Sequence, residues 1–278
     1  MKVIGLGDQV VDKYSDRHIM YPGGNALNFA VFAKKLGFDS AFLGAFGNDS
    51  EGDCVREAID ELGVDNSHSK LYSGENGRTV VELKNGDRQF VFSNRCGVLR
   101  ENGLRLTDED YEYLKGFDLI HSSLYSYSEK ECSRLHELGK EISFDFSGDY
   151  TDEQLERLLP VVDYAFFSTS GMPDPEREEI AKKAFRSGAR MVLCTAGEKG
   201  ALLYTPEKLY RQEAHYIKAK DTMACGDAFI TSFILNYLSK VQTDGKEKAI
   251  TEALNEAAEF SASQCLVDGS FGFGKEYL

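Results

Sequence analysis

The feature that most constrains this chain is a repeated alternation between short apolar runs and longer amphipathic stretches, which is typical of parallel strands joined by helical crossovers. The strand candidates are Lys2 to Gly7, Ala41 to Gly47, Asp118 to Ser122, Glu141 to Phe146, Asp163 to Ser168 and Arg190 to Thr195. The helix candidates are Asn25 to Leu36, Glu51 to Leu62, Asp108 to Lys115, Ser128 to Leu138, Asp152 to Leu159 and Pro175 to Ser187. The pattern predicts an α/β fold with a three-layer α/β/α core around a mostly parallel sheet.

One part of the chain breaks this alternation. Arg78 to Leu83 and Arg88 to Ser93 have strand-like sequences and flank Asn85-Gly86, a pair that favours a tight hairpin turn. With an extended segment around residues 18–21, they predict a small β lid built from inserted segments at about 12–22 and 70–97. The sequence has no Pro/Gly linker, so we expect the lid to belong to a single domain spanning residues 1–278.

Composition excludes several classes of partner. A formal charge of -14, with no Lys/Arg-rich stripe, disfavours binding to nucleic acid. No run of about 20 apolar residues and no export signal is present, which predicts a cytoplasmic protein without a membrane partner. The six cysteines are scattered without a C-x-x-C pair, so we expect reduced thiols rather than a zinc site or a disulfide framework.

The most informative stretch runs from Asp221 to Asp227 and is followed by a mostly apolar run, Ala228 to Leu238, of helical length. Small residues before a helix allow its backbone N–H groups to approach an anion, and the helix dipole adds positive potential there. Asp227 falls in the first turn, where a carboxylate can accept a proton from a hydroxyl group. The alternative is that Asp227 only caps the helix.

This stretch resembles the D-T-x-G-A-G-D signature of the PfkB/ribokinase family of carbohydrate kinases. The resemblance implies that Asp227 is the catalytic base and that Ala224, Cys225 and Gly226 form an anion hole for the transferred phosphoryl group. It also implies a ribokinase-like kinase domain that uses ATP and Mg²⁺, with Asp221 and Thr222 on the nucleotide side. Ala224 and Cys225 stand where the signature has Gly and Ala.

A second segment places substrate-binding candidates near the start of the chain. Gly23 and Gly24 open a helix, and Asn25 and Asn28 offer donors and acceptors to sugar hydroxyls. The segment resembles the G-G-x-x-x-N motif of the same family, although a Gly-Gly pair is also common in simple turns. Asp8 and Asp12 follow the first strand, at the sheet edge where ligands gather, and join the substrate-binding set; solvated loop carboxylates are the alternative.

The nucleotide side of the predicted site follows a later strand. Thr195, Gly197 and Gly200 resemble the T-x-G-x-x-G nucleotide loop of the family, although such glycines are often only a turn. Ala258 aligns with the adenine pocket, and Ser168 completes the nucleotide-binding set.

Other polar candidates leave the metal ligands unassigned. The family's N-x-x-E motif, which organises magnesium, aligns with Ser168 to Gly171 and reads Ser-Thr-Ser-Gly, so both polar anchors are absent. The metal ligands therefore remain unknown, with Asp145 a candidate. His121 and Arg95 end strand-like segments near the site; we expect an isolated His to be structural and assign neither a catalytic role.

The motifs occur in the order of the family, from Asp8 to Gly269, which predicts ATP-dependent phosphorylation of a primary hydroxyl on a sugar or sugar-amine adduct. The runs Gly7 to Asp12 and Phe144 to Ser147 most resemble the fructoselysine 6-kinases, which act on glycated amino acids. Ribose, fructose or a nucleoside are alternative acceptors. A homodimer formed through the lid is a further expectation, because exposed strand edges invite association.

Two other functional classes fit parts of the sequence. The absent N-x-x-E motif and the altered anion-hole residues would also suit a sugar- or nucleotide-binding protein with impaired catalysis. A NAD-linked enzyme is disfavoured because Val10 stands where the third Gly of a dinucleotide fingerprint belongs.

Overall fold

The structure is a computed structural model that describes residues 1–84 and 87–277. The strands are β1 (Lys2–Gly7), β2 (Val10–Tyr14), β3 (Ile19–Gly23), β4 (Asp39–Phe46), β5 (Lys70–Leu71), β6 (Arg78–Lys84), β7 (Asp87–Ser93), β8 (Leu119–Ser123), β9 (Glu141–Asp145), β10 (Tyr164–Ser168), β11 (Met191–Thr195), β12 (Ala201–Tyr204), β13 (Leu209–Gln212) and β14 (Lys275–Glu276). The helices are α1 (Asn25–Lys35), α2 (Ser50–Glu61), α3 (Val98–Asn102), α4 (Asp108–Lys115), α5 (Glu129–Glu137), α6 (Asp152–Leu158), α7 (Asp174–Arg186), α8 (Cys225–Asp244) and α9 (Lys246–Gln264).

The central sheet has the strand order β13-β12-β11-β10-β9-β8-β1-β4-β5. Neighbouring strands are parallel from β5 to β11, and β12 and β13 are added antiparallel at one side. In the parallel part all strands end at the same edge. This edge brings together the segments that follow β1, β8, β9, β10 and β11.

Helices cover both faces of this sheet. Ile4 and Leu6 of β1 belong to the core on one face, which side chains of α4, α5, α6 and α7 complete, whereas Val3 belongs to the core on the opposite face, with side chains of α1, α8 and α9. This alternation along β1 is that expected of a parallel strand buried on both sides. The predicted three-layer α/β/α core with a mostly parallel sheet is confirmed.

A second sheet has the order β14-β3-β2-β6-β7. The chain enters it directly after β1 and returns to it at β6, and an ion pair of 2.8 Å between Lys13 of β2 and Glu51 ties it to α2. The predicted strand-like segments at 78–83 and 88–93 lie in β6 and β7. The predicted turn residues Asn85 and Gly86 lie outside the described residues.

Several elements differ from the sequence prediction. The short strands β5, β12 and β13 and the helix α3 were not predicted. After β11 the chain turns back through a tight loop, and β12 and β13 each run antiparallel to the strand before them. These two connections lack the helix that was used to predict the earlier crossovers. Across the described chain, no helix combines the length and apolar character needed to cross a bilayer.

Candidate active site

The start of α1 is fixed by a glycine and a buried carboxylate. Gly24 has φ 113°, and a Cβ there would lie 2.6 Å from the Cα of Gln9, so only glycine fits. The Asp8 carboxylate accepts hydrogen bonds from the backbone N–H groups of Asn25 (2.7 Å) and Ala26 (3.2 Å). It thereby performs the capping task that Gly24, which lacks a side chain, cannot perform.

Two serines occupy the rest of the Asp8 carboxylate. The hydroxyl groups of Ser123 and Ser126 donate to Oδ1 at 2.8 and 2.7 Å, and Asp8 is only 2% exposed. Its oxygens are thus engaged within the protein. The structure gives Asp8, a substrate-binding candidate from the sequence, the task of holding α1 in place.

Asn25 lies at the centre of the site. Its side-chain nitrogen donates to Asp145 (2.8 Å) and to Asp227 (2.9 Å), and its oxygen faces Nε2 of His121 at 2.9 Å. Because both amide protons point at carboxylates, the amide oxygen must be the group that faces His121. Asn25, predicted to contact substrate, here bridges two acidic side chains.

The orientation of Asn25 assigns the tautomer of His121. An amide oxygen can only accept, so Nε2 of His121 carries the proton, and Nδ1 accepts from the Ser143 hydroxyl at 2.9 Å. Burial lowers the pKa of His121 to about 3, so the ring is neutral. His121 also stacks on Phe29, with ring centroids 4.4 Å apart. His121 belongs to no motif, and it was noticed only because it was predicted to end a strand near the site; in the structure it is the third residue of β8.

Asp227 is the third residue of α8 and is half-buried. Asn28 donates to it at 2.6 Å, in addition to the bond from Asn25. Desolvation raises the pKa of Asp227 to about 6; the hydrogen bonds from Asn28 and Asn25 oppose this shift, and the negative charge of Asp8 adds to it. A carboxylate with this pKa is mostly ionised at pH 7 yet basic enough to accept a proton.

Asp145 shares the same environment from the end of β9. Desolvation, and then the negative charge of Asp227, raises its pKa to about 7. Its other oxygen accepts from the backbone N–H of Ser147 at 2.8 Å. The site thus contains two neighbouring carboxylates with raised pKa values, as functional sites often do.

The N-terminus of α8 lies directly before Asp227. Ala224 is its N-cap residue and adopts a left-handed conformation, with φ 56° and ψ 12°. This conformation costs a non-glycine residue roughly 1 kcal/mol. It turns the chain so that Cys225 and Gly226 begin the helix, whose first N–H groups have no partner inside the helix and favour an anion.

A cavity of about 470 Å³ opens beside this helix terminus. Six residues of the predicted nucleotide-binding set line it, together with two of the anion-hole set: Ser168, Thr195, Gly197, Gly200, Thr222 and Ala258, and Cys225 and Gly226. Its wall also contains residues that the sequence did not identify, including His215, Tyr216, Phe229, Ser261 and Cys265. These carry no motif, and the fold alone brings them together.

Asp221, Asp12 and Gly23 also belong to the predicted site but do not line this cavity. Asp221 accepts from the Tyr14 hydroxyl (2.6 Å) and from the N–H groups of Met223 (2.9 Å) and Gly269 (3.0 Å), so it braces the loop before α8 and does not line the cavity. Asp12 lies in β2 and is 5% exposed. A Cβ at Gly23 would lie 3.0 Å from Oδ2 of Asp12, so these two residues face each other closely.

Comparisons with known proteins identify the family of the chain. Residues 4–270 match the model of the pfkB family carbohydrate kinases. The chain belongs to the pfkB family of carbohydrate kinases. It is therefore an ATP-dependent sugar kinase, a phosphotransferase with an alcohol group as acceptor.

Two relatives with assigned activities cover most of the chain. The fructosamine kinase FrlD of Bacillus subtilis is 40% identical over 278 residues, covering 100% of this chain and 95% of the relative. The fructoselysine 6-kinase of Escherichia coli is 30% identical over 236 residues, covering 84% of this chain and 87% of the relative.

Solved structures show the same fold. The ribokinase of Arabidopsis thaliana, complexed with ribose and ATP, has a TM-score of 0.76 at 20% identity, covering 92% of this chain and 91% of that one. The ribokinase of Thermotoga maritima has a TM-score of 0.76 at 20% identity, covering 96% of both chains. The ribokinase-like fold predicted from the motifs is thus confirmed.

Proposed function

We propose that this kinase transfers the γ-phosphoryl group of ATP to a primary hydroxyl of a fructosamine, a ketose joined to the amine of an amino acid. The observation that carries the proposal is the position of Asp227, at the N-terminus of α8 and beside the cavity of about 470 Å³. The names of the two relatives support the fructosamine class of acceptor. Ribose, fructose and nucleosides are the competing acceptors.

The cavity beside α8 is the proposed ATP site. Thr195, Gly197 and Gly200 would lie along the phosphates and ribose, and Ala258 along the adenine, with Ser168 and Thr222 at the wall. Gly200 cannot be replaced easily, because its φ is 74° and a Cβ would lie 1.9 Å from the carbonyl oxygen of Gln212. The terminal phosphate would then point toward the first turn of α8.

Asp227 is the proposed general base. Its carboxylate would accept the proton of the substrate hydroxyl as that oxygen forms its bond to the γ-phosphorus. The N–H groups of Ala224, Cys225, Gly226 and Asp227 would stabilise the charge on the transferred group. Asn28 and Asn25 orient the base, and Asp12, Gly23, Gly24 and Asn28 form the proposed sugar-binding side.

Magnesium fits the acidic pair in this site. Mg²⁺ in kinases is commonly bound by one or two carboxylates together with substrate phosphates and water. Asp145 is the proposed carboxylate ligand, because Asn25 links it to Asp227 and a bound cation would offset the desolvation and the negative charge of Asp227 that raise its pKa. When bound, the ion would neutralise charge on the phosphates. Within the described residues no group of three His, Cys, Asp or Glu side chains gathers to hold a metal alone.

The second sheet is the proposed lid. Its strands β2 and β3 carry Asp12 and Gly23, so movement of this sheet would enclose the acceptor and exclude water, which competes as phosphoryl acceptor. We also propose that the protein works in the cytoplasm, where ATP is available, and that it dimerises through this sheet.

The test is ADP release with MgATP and fructoselysine, fructose, ribose or a nucleoside as acceptor, comparing the wild type with Asp227→Asn. We expect preference for fructoselysine and a loss of about a hundredfold or more in kcat for Asp227→Asn, the size expected of a lost general base. Asp244→Asn, at the far end of the same helix, is the matched control and should keep wild-type activity.

Two results would contradict the proposal in different ways. Equal turnover of fructoselysine, fructose, ribose and the nucleoside would contradict the fructosamine acceptor while leaving the kinase assignment intact. Ligand binding seen as a rise in Tm without ADP release would favour the binding-protein alternative.

A further inference from the structure

Two cysteines meet at the wall of the proposed ATP cavity. The sulfurs of Cys225, the first residue of α8, and Cys265, at the end of α9, are 2.7 Å apart. Both residues line the cavity and both are half-buried. Cys225 stands where the family signature has Ala, so this thiol departs from the signature.

The backbone holds the two sulfurs opposite each other. The carbonyl oxygen of Cys265 accepts from the backbone N–H groups of Lys220 (2.8 Å) and Asp221 (3.2 Å), on the loop that leads to α8. The Ser261 hydroxyl donates to the carbonyl oxygen of Cys225 at 2.8 Å. The end of α9 and the start of α8 are therefore joined on both sides of the sulfur pair, which keeps the two Cα atoms close together.

The remaining cysteines differ from this pair in their accessibility. Cys54, Cys96, Cys132 and Cys194 are buried. Burial raises the pKa of the Cys54 thiol to about 11 and those of Cys132 and Cys194 to about 12. Because the thiolate is the reactive form, these four residues are protected from oxidants. Oxidation should therefore be selective for the two cysteines at the cavity.

We propose that Cys225 and Cys265 form a thiol modification site at the ATP cavity, where a low-molecular-weight disulfide converts them reversibly into a disulfide bond and slows phosphoryl transfer. One thiolate attacks a sulfur of the small disulfide and releases one small thiol. The second cysteine thiolate then attacks the resulting mixed disulfide and releases the other small thiol. The two cysteines lose two electrons and two protons in total, and the small disulfide is reduced to two thiols.

The effect on turnover follows from the position of Cys225. Its N–H group belongs to the proposed anion hole, and formation of an S–S bond near 2.05 Å must draw the sulfurs together. A small displacement of a group that binds the transition state can reduce the rate by up to about a hundredfold. Bound ATP should oppose oxidation, because it would fill the cavity through which the oxidant reaches the sulfurs.

The experiment treats the full chain with oxidised glutathione, with and without MgATP, and follows intact mass, linked peptides and ADP release. We expect a mass loss of about 2 Da, a peptide that joins Cys225 to Cys265, and a fall in kcat of at least about fivefold that dithiothreitol reverses. MgATP should slow the cross-linking at least about fivefold.

Two variants test whether Cys225 and Cys265 are the cysteines that react. The ratio of oxidised to reduced activity is measured for each protein separately, so differences in basal activity cancel. Cys265→Ser should yield a stable glutathione adduct on Cys225 instead of the cross-link, whereas Cys132→Ala should respond as the wild type does. Absence of the linked peptide from oxidised wild type, or an unchanged kcat after complete cross-linking, would overturn the inference.

The inference rests on the proposed ATP site, and the same data separate the two. If MgATP raises Tm but no cross-link forms, the thiol site is wrong and the ATP site stands. If the cross-link forms at the same rate with MgATP while ATP still binds, the cavity is not the ATP site, and the proposed coupling of oxidation to ATP binding fails with it.

Discussion

Among single residues, Asn25 has the most contacts that bear on chemistry. Its two amide protons go to Asp145 and Asp227, and His121 donates to its oxygen. His121 is fully buried. It is not among the residues that line the cavity, so we regard it as a positioning residue that acts through Asn25.

This arrangement predicts a pH effect for a substitution far from the reacting atoms. In His121→Leu, Asn25 loses one of the three hydrogen bonds that hold its side chain, and we expect it to donate less well to the carboxylates. Hydrogen bonds to a carboxylate favour its charged form, so the pKa of Asp227 should rise above its value of about 6. The acidic limb of the kcat profile should move to higher pH, and activity at pH 6.5 should fall more than activity at pH 8.

The matched control is His121→Gln, whose side-chain nitrogen can still donate to Asn25. It should keep the acidic limb within about 0.3 pH units of the wild type. If His121→Leu lowers kcat equally at every pH, its role is structural packing and the positioning role is wrong.

At the scale of an element, α8 starts from a strained residue. Ala224 has φ 56°, where glycine is favoured, and the family signature has Gly there. Ala224→Gly should relieve the left-handed strain, partly offset by the larger backbone entropy of glycine in the unfolded chain. We expect a gain of about 0.5 to 1 kcal/mol in the free energy of unfolding, measured by urea denaturation.

Ala228→Gly makes the same change four residues further into α8, in ordinary helical conformation. It should lower the free energy of unfolding by about 1 kcal/mol. If Ala224→Gly and Ala228→Gly lower the free energy of unfolding equally, the left-handed conformation of Ala224 does not destabilise the protein.

The elements also show how far sequence reasoning reaches. Lys2–Gly7 and Asp108–Lys115 were predicted to the residue, because apolar runs and helix caps are local signals. The strands β12 and β13 were missed because they have four residues each and no crossover helix. Tyr216 and Cys265 reach the site from distant segments, so only the fold could reveal them, whereas the sequence placed His121 near the site without indicating its contact with Asn25. The placement of Asp8 at the α1 N-terminus likewise needed the geometry of Gly24.

For the whole molecule, the second sheet presents an exposed apolar edge. In the described part of this sheet β7 is the outer strand, and its Phe90 and Phe92 are 66% and 48% exposed. The β6–β7 register shifts between Val80 and Val81, whose partners are Phe92 and Phe90, and Val91 between the two rings is also exposed, so three consecutive apolar side chains face solvent at an irregularity of this strand. An exposed apolar edge strand tends to pair with another chain, which is the basis of the proposed dimer.

The double variant Phe90→Ser/Phe92→Ser should therefore convert a dimer into a monomer, because it removes the apolar surface that a partner sheet would bury. Light scattering coupled to gel filtration should give twice 31.0 kDa for the wild type and 31.0 kDa for the variant. Leu138→Ser, an exposed apolar residue at the end of α5, is the control and should stay dimeric. A wild type that is monomeric at working concentration would contradict the dimer, and a dimer that survives the double substitution would place its interface away from β7.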